Sequence, residues 1–199
     1  MLKPDHVIDI FLQPGDFYFG DRDTRIRTLL GSCVSITMWH PKRLIGGMCH
    51  YMLPYRSAQK NTPSQYKLDG RYAEEAMLMF FQEMARHNTN PSEYVVKVFG
   101  GGNMFPDHKK RKGSCTLSSI KEKVTICSKE EIMACSKDEI MACSNVACKN
   151  ISVIDFLARE YGLHVAADHM GGLGHRNIIF DIWSGYVWMR KPAVKDDNV

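Results

Sequence analysis

The chain lacks any apolar run approaching the roughly 18 residues that a membrane-spanning helix requires. Its start, MLKPDHVIDIFLQPGD, carries acids where a secretory signal has an uninterrupted apolar stretch, so the expected location is the cytoplasm. Concentrated charge is lacking too: 26 Lys and Arg against 22 Asp and Glu leave +4 over 199 residues, too little without a basic face to indicate nucleic acid. None of the seven cysteines forms a CxxC pair and their number is odd, so neither a zinc ribbon nor a secreted disulfide framework fits. No HExxH spacing joins His164, His169 and His175, and Gly100-Gly101-Gly102-Asn103 lacks the P-loop Lys-Ser/Thr and the full GxGxxG spacing. The pattern calls for no metal and no cofactor.

What is present is the composition of one soluble domain, 44% hydrophobic and 10% aromatic, long enough for a sizeable core. Short extended pieces surround a Pro14-Gly15-Asp16 turn, and VSITMW (34–39), the turn at 40–43 and the apolar run at 44–53 read as a hairpin. A polar loop follows to residue 68. Asp69 is placed to cap a helix whose stripe is Ala73, Ala76, Met77, Phe80 and Met84. YVVKVF (94–99) reads as a buried strand, residues 151–162 as an amphipathic helix with Ile154, Leu157 and Ala158 inward and Gly162 at its C-terminal end, 164–167 as a strand, and NIIFDIW to YVWMR as a closing hairpin turning at Ser184-Gly185.

CSKEEIMA (127–134) is repeated as CSKDEIMA (135–142). A period of eight matches no helical supercoil and two copies are too few for a solenoid, so residues 127–148 read as a largely solvent-facing helix or loop, in an insert around 107–149 within a single domain spanning 1–199. The spacings of Cys127, Cys135, Cys143 and Cys148 match no zinc ligand pattern. KKRK (109–112) reads as a solvated turn.

The hairpin carries the chemistry. With Pro41-Lys42 as the turn centre, opposed residues have numbers adding to 83, as Cys33 and His50 do. Opposed residues share a face with Cβ atoms about 5 Å apart, so the register sets a thiol beside an imidazole that can take its proton. The same parity turns Cys49 to the other face, as a small buried hydrophobe. Gly31-Ser32 before Cys33, and Gly46-Gly47 before His50, leave room for backbone N–H groups and a substrate to approach; Thr28 and Ser32 are the nearest hydroxyls able to orient the imidazole.

FLQPGDFYF, TLLGSCVSITMWHP, IGGMCHYMLP, VKVFGGGNMF and HMGGLGHRNIIFDIWSGYVWMRK resemble the successive motifs of the CheD family, the chemoreceptor glutamine deamidases of bacterial chemotaxis, from about residue 7 to 191. The resemblance implies an α/β (α+β) fold with a β-sandwich-like core flanked by helices, and an active site related to those of bacterial toxin deamidases. It implies protein-glutamine deamidation with Cys33 as nucleophile, His50 as base and Thr28 completing the triad, with substrate or oxyanion contacts sought at Gly31, Ser32, Gly46, Gly47, Gly101 and Asn103. Implied partners are methyl-accepting receptor helices and a CheC-type phosphatase, and receptor methyl esters are a second implied substrate. Where the family carries an IGxRN-like segment this chain has SNVACKN (144–150), in which Asn150 stands for the Asn. Two other readings are a non-catalytic receptor- or CheC-binding module, and a thiol hydrolase of small amides or esters.

Overall fold

A computed structural model describes residues 2–56, 67–104, 136–142 and 145–191. Among the described residues nine strands form two sheets: β1 (Ile8–Leu12), β2 (Phe17–Gly20), β3 (Thr24–Leu30), β4 (Val34–His40), β5 (Ile45–Cys49), β6 (Val95–Gly100), β7 (Val165–Met170), β8 (Arg176–Asp181) and β9 (Tyr186–Arg190). The four-stranded sheet runs β1-β3-β8-β9 and the five-stranded sheet β2-β5-β4-β6-β7. The described α-helices are α1 (Ala73–Arg86), the short α2 (Lys137–Ala142) and α3 (Val146–Glu160).

Strand parity sorts the residues into layers. Along β3 burial alternates strictly, with Thr24, Ile26, Thr28 and Leu30 inward, as expected of a sheet packed on one face only. β4 and β5 are buried nearly throughout, because the five-stranded sheet is covered on both faces. One face of it meets the four-stranded sheet through Met48 and Phe99 against Leu12, Ile26, Leu30, Ile178 and Phe180. The other face, with Val34, Ile36, Met38, Cys49, Val96 and Val98, packs on α1 and α3. The mixed α/β expectation holds: a β-sandwich carries helices on one outer face.

The predicted stripe of α1 is buried as expected, but Asp69 does not cap it. Tyr72 occupies the N-cap position without a side-chain bond, and the Asp69 carboxylate is taken by the Arg71 guanidinium and backbone N–H. Helix α3 starts five residues before its expected first residue, where the Asn145 side chain accepts from the Cys148 N–H and caps it. Of the duplicated segment, 127–135 lies outside the described residues, as do KKRK and residues 57–66 of the polar loop. The second copy forms α2, which is not wholly solvent-facing: Ile140 is 1% exposed and joins the helix-side core.

The β4–β5 hairpin differs from expectation by two residues. Its loop holds four residues, 41–44, closed by the Leu44 N–H donating to the His40 carbonyl at 2.9 Å, with Leu44 at φ 53°. Pro41 therefore begins the turn instead of centring it, and partner numbers add to 85, as in Thr37 with Met48 and Val34 with Tyr51. That register sets His50 opposite Ser35, so Cys33 and His50 are not directly opposed. A shift of two preserves the face, so both stay on the sandwich side while Cys49 stays on the helix side.

The paired glycines of β5 are explained by packing. An added Cβ at Gly46 would lie 2.4 Å from the Met38 carbonyl oxygen, and one at Gly47 2.6 Å from that of Tyr18. A Gly46→Ala chain is expected to lose about 1–3 kcal/mol, as overpacked cores do, read as a lower urea midpoint at unchanged slope. An unchanged midpoint would contradict the packing account.

Candidate functional site

The site gathers where the two sheets meet. Chain leaving β3 at Leu30 crosses through Gly31-Ser32-Cys33 and enters β4 in the other sheet, so Cys33 sits in the crossover itself. Thr28 lies on the inward face of β3, 1% exposed, and His50 follows β5, 2% exposed. The His50 backbone is held from both sides: its N–H donates to the Asp16 carbonyl at 2.9 Å and its carbonyl accepts from the Gly15 N–H at 2.7 Å. The Pro14-Gly15-Asp16 turn thus anchors the histidine, and Gly15 at φ 93° permits that close approach.

Thr28 Oγ1 lies 2.9 Å from the Leu12 carbonyl oxygen and 2.8 Å from His50 Nδ1. A hydroxyl has one proton, and a carbonyl can only accept. The Thr28 O–H therefore donates to Leu12, and its lone pair accepts from Nδ1–H. This assigns the tautomer: His50 carries its proton on Nδ1 and presents Nε2 as a bare base. Nε2 is buried without a hydrogen-bond partner among the described residues. An unpaired buried acceptor costs about 1–3 kcal/mol, an expense that stability alone does not explain.

Electrostatics favour neutral partners. Burial depresses the His50 pKa from 6.5 to about 4, against smaller opposing contributions from the Leu12 carbonyl and Asp16. Burial also raises the Cys33 thiol, while its own backbone N–H pulls in the other direction. Cys49, wholly buried, is pushed up to about 12. Burial thus favours the thiol and the neutral imidazole over the thiolate–imidazolium pair that a thiol beside an imidazole suggests.

The other expected contacts divide. Gly101 N–H donates to the Cys33 carbonyl at 2.8 Å and Gly102 N–H to that of Gly31 at 2.8 Å, so the glycine turn after β6 clasps the crossover. Gly100, at φ 125°, has no room for a side chain: its Cβ would lie 2.3 Å from the Cys33 oxygen. Ser32 is half-buried beside Cys33, whereas Asn103 pairs with the 172–174 loop through its backbone, accepting from Gly174 and donating to Gly172. Gly46 and Gly47 lie within the β5 ladder, several residues before His50. His169 Nδ1 accepts from the buried Arg176 Nε at 3.0 Å. Asn150, which the sequence marks only as the Asn of the IGxRN-like segment, is wholly buried in α3 and donates through Nδ2 to the Ser32 carbonyl at 3.1 Å and the Met52 carbonyl at 2.7 Å. Its backbone carbonyl accepts from Tyr51 Oη at 2.5 Å.

The His50 pKa makes a testable statement about stability. Between pH 6.5 and 4 the unfolded chain binds a proton there that the folded chain refuses. The contribution is present in full above 6.5 and falls away as pH drops through 4, about 3 kcal/mol in all. Nitrogen NMR at pH 7 is expected to show His50 protonated on Nδ1 alone, with a midpoint near 4. A midpoint near 6.5, or an Nε2–H signal, would contradict the assignment.

The family model described as CheD, chemotactic sensory transduction, matches residues 52–138. A protein of Pseudomonas fluorescens (strain SBW25) named "Probable chemoreceptor glutamine deamidase CheD" is 42% identical over 190 residues, covering 96% of this chain and 88% of the relative. A protein of the same name from Pseudomonas savastanoi pv. phaseolicola is 44% identical, covering 98% and 91%. One from Leptospira interrogans serovar copenhageni, named as CheD 1, is 38% identical, covering 96% and 98%. Identity at this level over nearly the whole length, on a chain whose crossover, glycine turn and histidine all fall within the shared span, makes this protein a member of the CheD family.

Proposed function

We propose that this chain is a chemoreceptor glutamine deamidase that works through a Cys33 thioester. The observation that carries the reading is the Thr28–His50 contact, which leaves Nε2 as a bare base on the sheet face shared with the half-buried thiol. The relatives' printed name supports the substrate class.

The chemistry follows from the neutral resting state. His50 Nε2 removes the Sγ proton as sulfur attacks the side-chain carbonyl carbon of a receptor glutamine, so ionisation and attack occur together. The tetrahedral oxyanion collapses, and the imidazolium gives its proton to the departing nitrogen, which leaves as ammonia. Water then attacks the γ-glutamyl thioester, with Nε2 taking its proton and the sulfur recovering it. Glutamate and free thiol remain, with one new negative charge on the receptor. No cofactor enters the balance. A methyl ester would follow the same path with methanol leaving, which makes receptor methyl esters a second substrate of the same site. We place the protein in the cytoplasm beside the receptors' helices, with a CheC-type phosphatase as a further partner. No helix among the described residues is long and apolar enough to cross a membrane.

Mass spectrometry of a receptor cytoplasmic fragment incubated with the protein is expected to show about +1 Da per modified glutamine, with no shift for Cys33→Ala. Because His50 stays neutral down to pH 4, kcat/KM is expected to be nearly the same at pH 5 and pH 7. A Cys33→Ala chain that still releases ammonia would remove the nucleophile, and an acid limb centred at 6.5 would remove the neutral-base step. A chain that binds receptor without any mass change would favour the binding-module reading.

A further inference from the structure

Three successive carbonyls precede and include the thiol residue, and each is held by a different donor. Gly31 accepts from the Gly102 N–H, Ser32 from the Asn150 Nδ2 and Cys33 from the Gly101 N–H. The amide of Asn150 has only one orientation here, since two carbonyl oxygens face it and only its NH2 end can donate to both. That choice leaves Oδ1 buried and without a partner among the described residues. Asn150 thus satisfies two carbonyls on either side of the site while its own acceptor is left over.

The consequence lies in the peptide between Ser32 and Cys33. No cis bond occurs among the described residues, so its C=O and N–H point in opposite directions. Tying the Ser32 oxygen to Asn150 therefore turns the Cys33 N–H away from α3. That N–H meets no acceptor among the described residues, and it lies close enough to its own sulfur to favour the thiolate. A donor beside the attacking sulfur is of the kind that stabilises the oxyanion of an acyl-transfer intermediate. The second Asn150 bond, to Met52, holds the chain two residues past His50, so one amide ties the thiol turn to the histidine strand.

We propose that Asn150 is the positioning residue of the oxyanion hole: through the Ser32 carbonyl it aims the Cys33 N–H at the developing oxyanion. Asn150 itself touches neither substrate nor thiol, and the proposal rests on Cys33 being the nucleophile.

Two reactions of one thiol separate this role from a merely structural one. Deamidation passes through an oxyanion, whereas alkylation by iodoacetamide displaces iodide at a saturated carbon and forms none. In the full-length protein, Asn150→Ala is expected to lower kcat for deamidation of a receptor fragment about 100-fold, as loss of one oxyanion donor does, with KM within twofold. The alkylation rate of Cys33 is expected to stay within about threefold of the parent. Asn150→Asp, of nearly equal volume but without the two donors, provides the same comparison should the alanine variant fail to fold. Deamidation at the parental rate would overturn the proposal. So would an equal loss of deamidation and alkylation, which would make Asn150 a general support of the thiol. Ammonia release by Cys33→Ala, measured alongside, would instead strike the nucleophile beneath it.

Discussion

A single hydroxyl proton organises this molecule's chemistry. Thr28 belongs to the four-stranded sheet and His50 to the end of a strand in the five-stranded sheet, so their 2.8 Å contact exists only while the two sheets are packed. Because the one Thr28 proton is committed to Leu12, the imidazole is forced into the tautomer that leaves Nε2 bare. The sandwich core of Leu12, Ile26, Leu30, Met48, Phe99 and Phe180 supplies the dry surroundings that keep that nitrogen neutral. Stability and function thus meet at one interface: the apolar burial that joins the sheets also depresses the histidine.

The thiol and the imidazole are each favoured in the neutral form. A preformed thiolate would need a basic His and an exposed or cation-facing sulfur. Here burial opposes charge on both groups, so in the proposed mechanism the sulfur gives up its proton only as it attacks. Cys49, neighbouring His50 in sequence, shows the extreme of the same effect, sealed in the helix-side core.

Much of the fold was legible because its signals are local. Runs of β-branched, aromatic and apolar residues predict β4 and β6, the 3.6-residue stripe predicts α1, and Gly162 and Gly185, both left-handed here, mark a helix end and a turn. The hairpin register was misplaced by two because four loop residues, with Leu44 left-handed, are not signalled by the Pro41-Lys42 pair. The face assignment of Cys33, His50 and Cys49 survived that error, since side-chain direction depends only on whether a shift is odd or even. Asp69 had the right chemistry for a cap, but two arginines within reach offered its charge a better partner than a backbone N–H.

The sequence by itself determined which residues could do chemistry, because a thiol, an imidazole and a hydroxyl within 23 residues, set among glycines, are properties of short motifs. It also determined which face each strand residue would take, since parity is intrinsic to an extended chain. Only the tertiary structure decided the proton's place on His50, for that depends on Leu12 reaching Thr28 across a parallel strand pair. Only it decided the direction of the Cys33 N–H, through an asparagine 118 residues away in sequence. Hydrogen-bond direction is set by where each donor and acceptor lies in space, and no spacing along the chain encodes it.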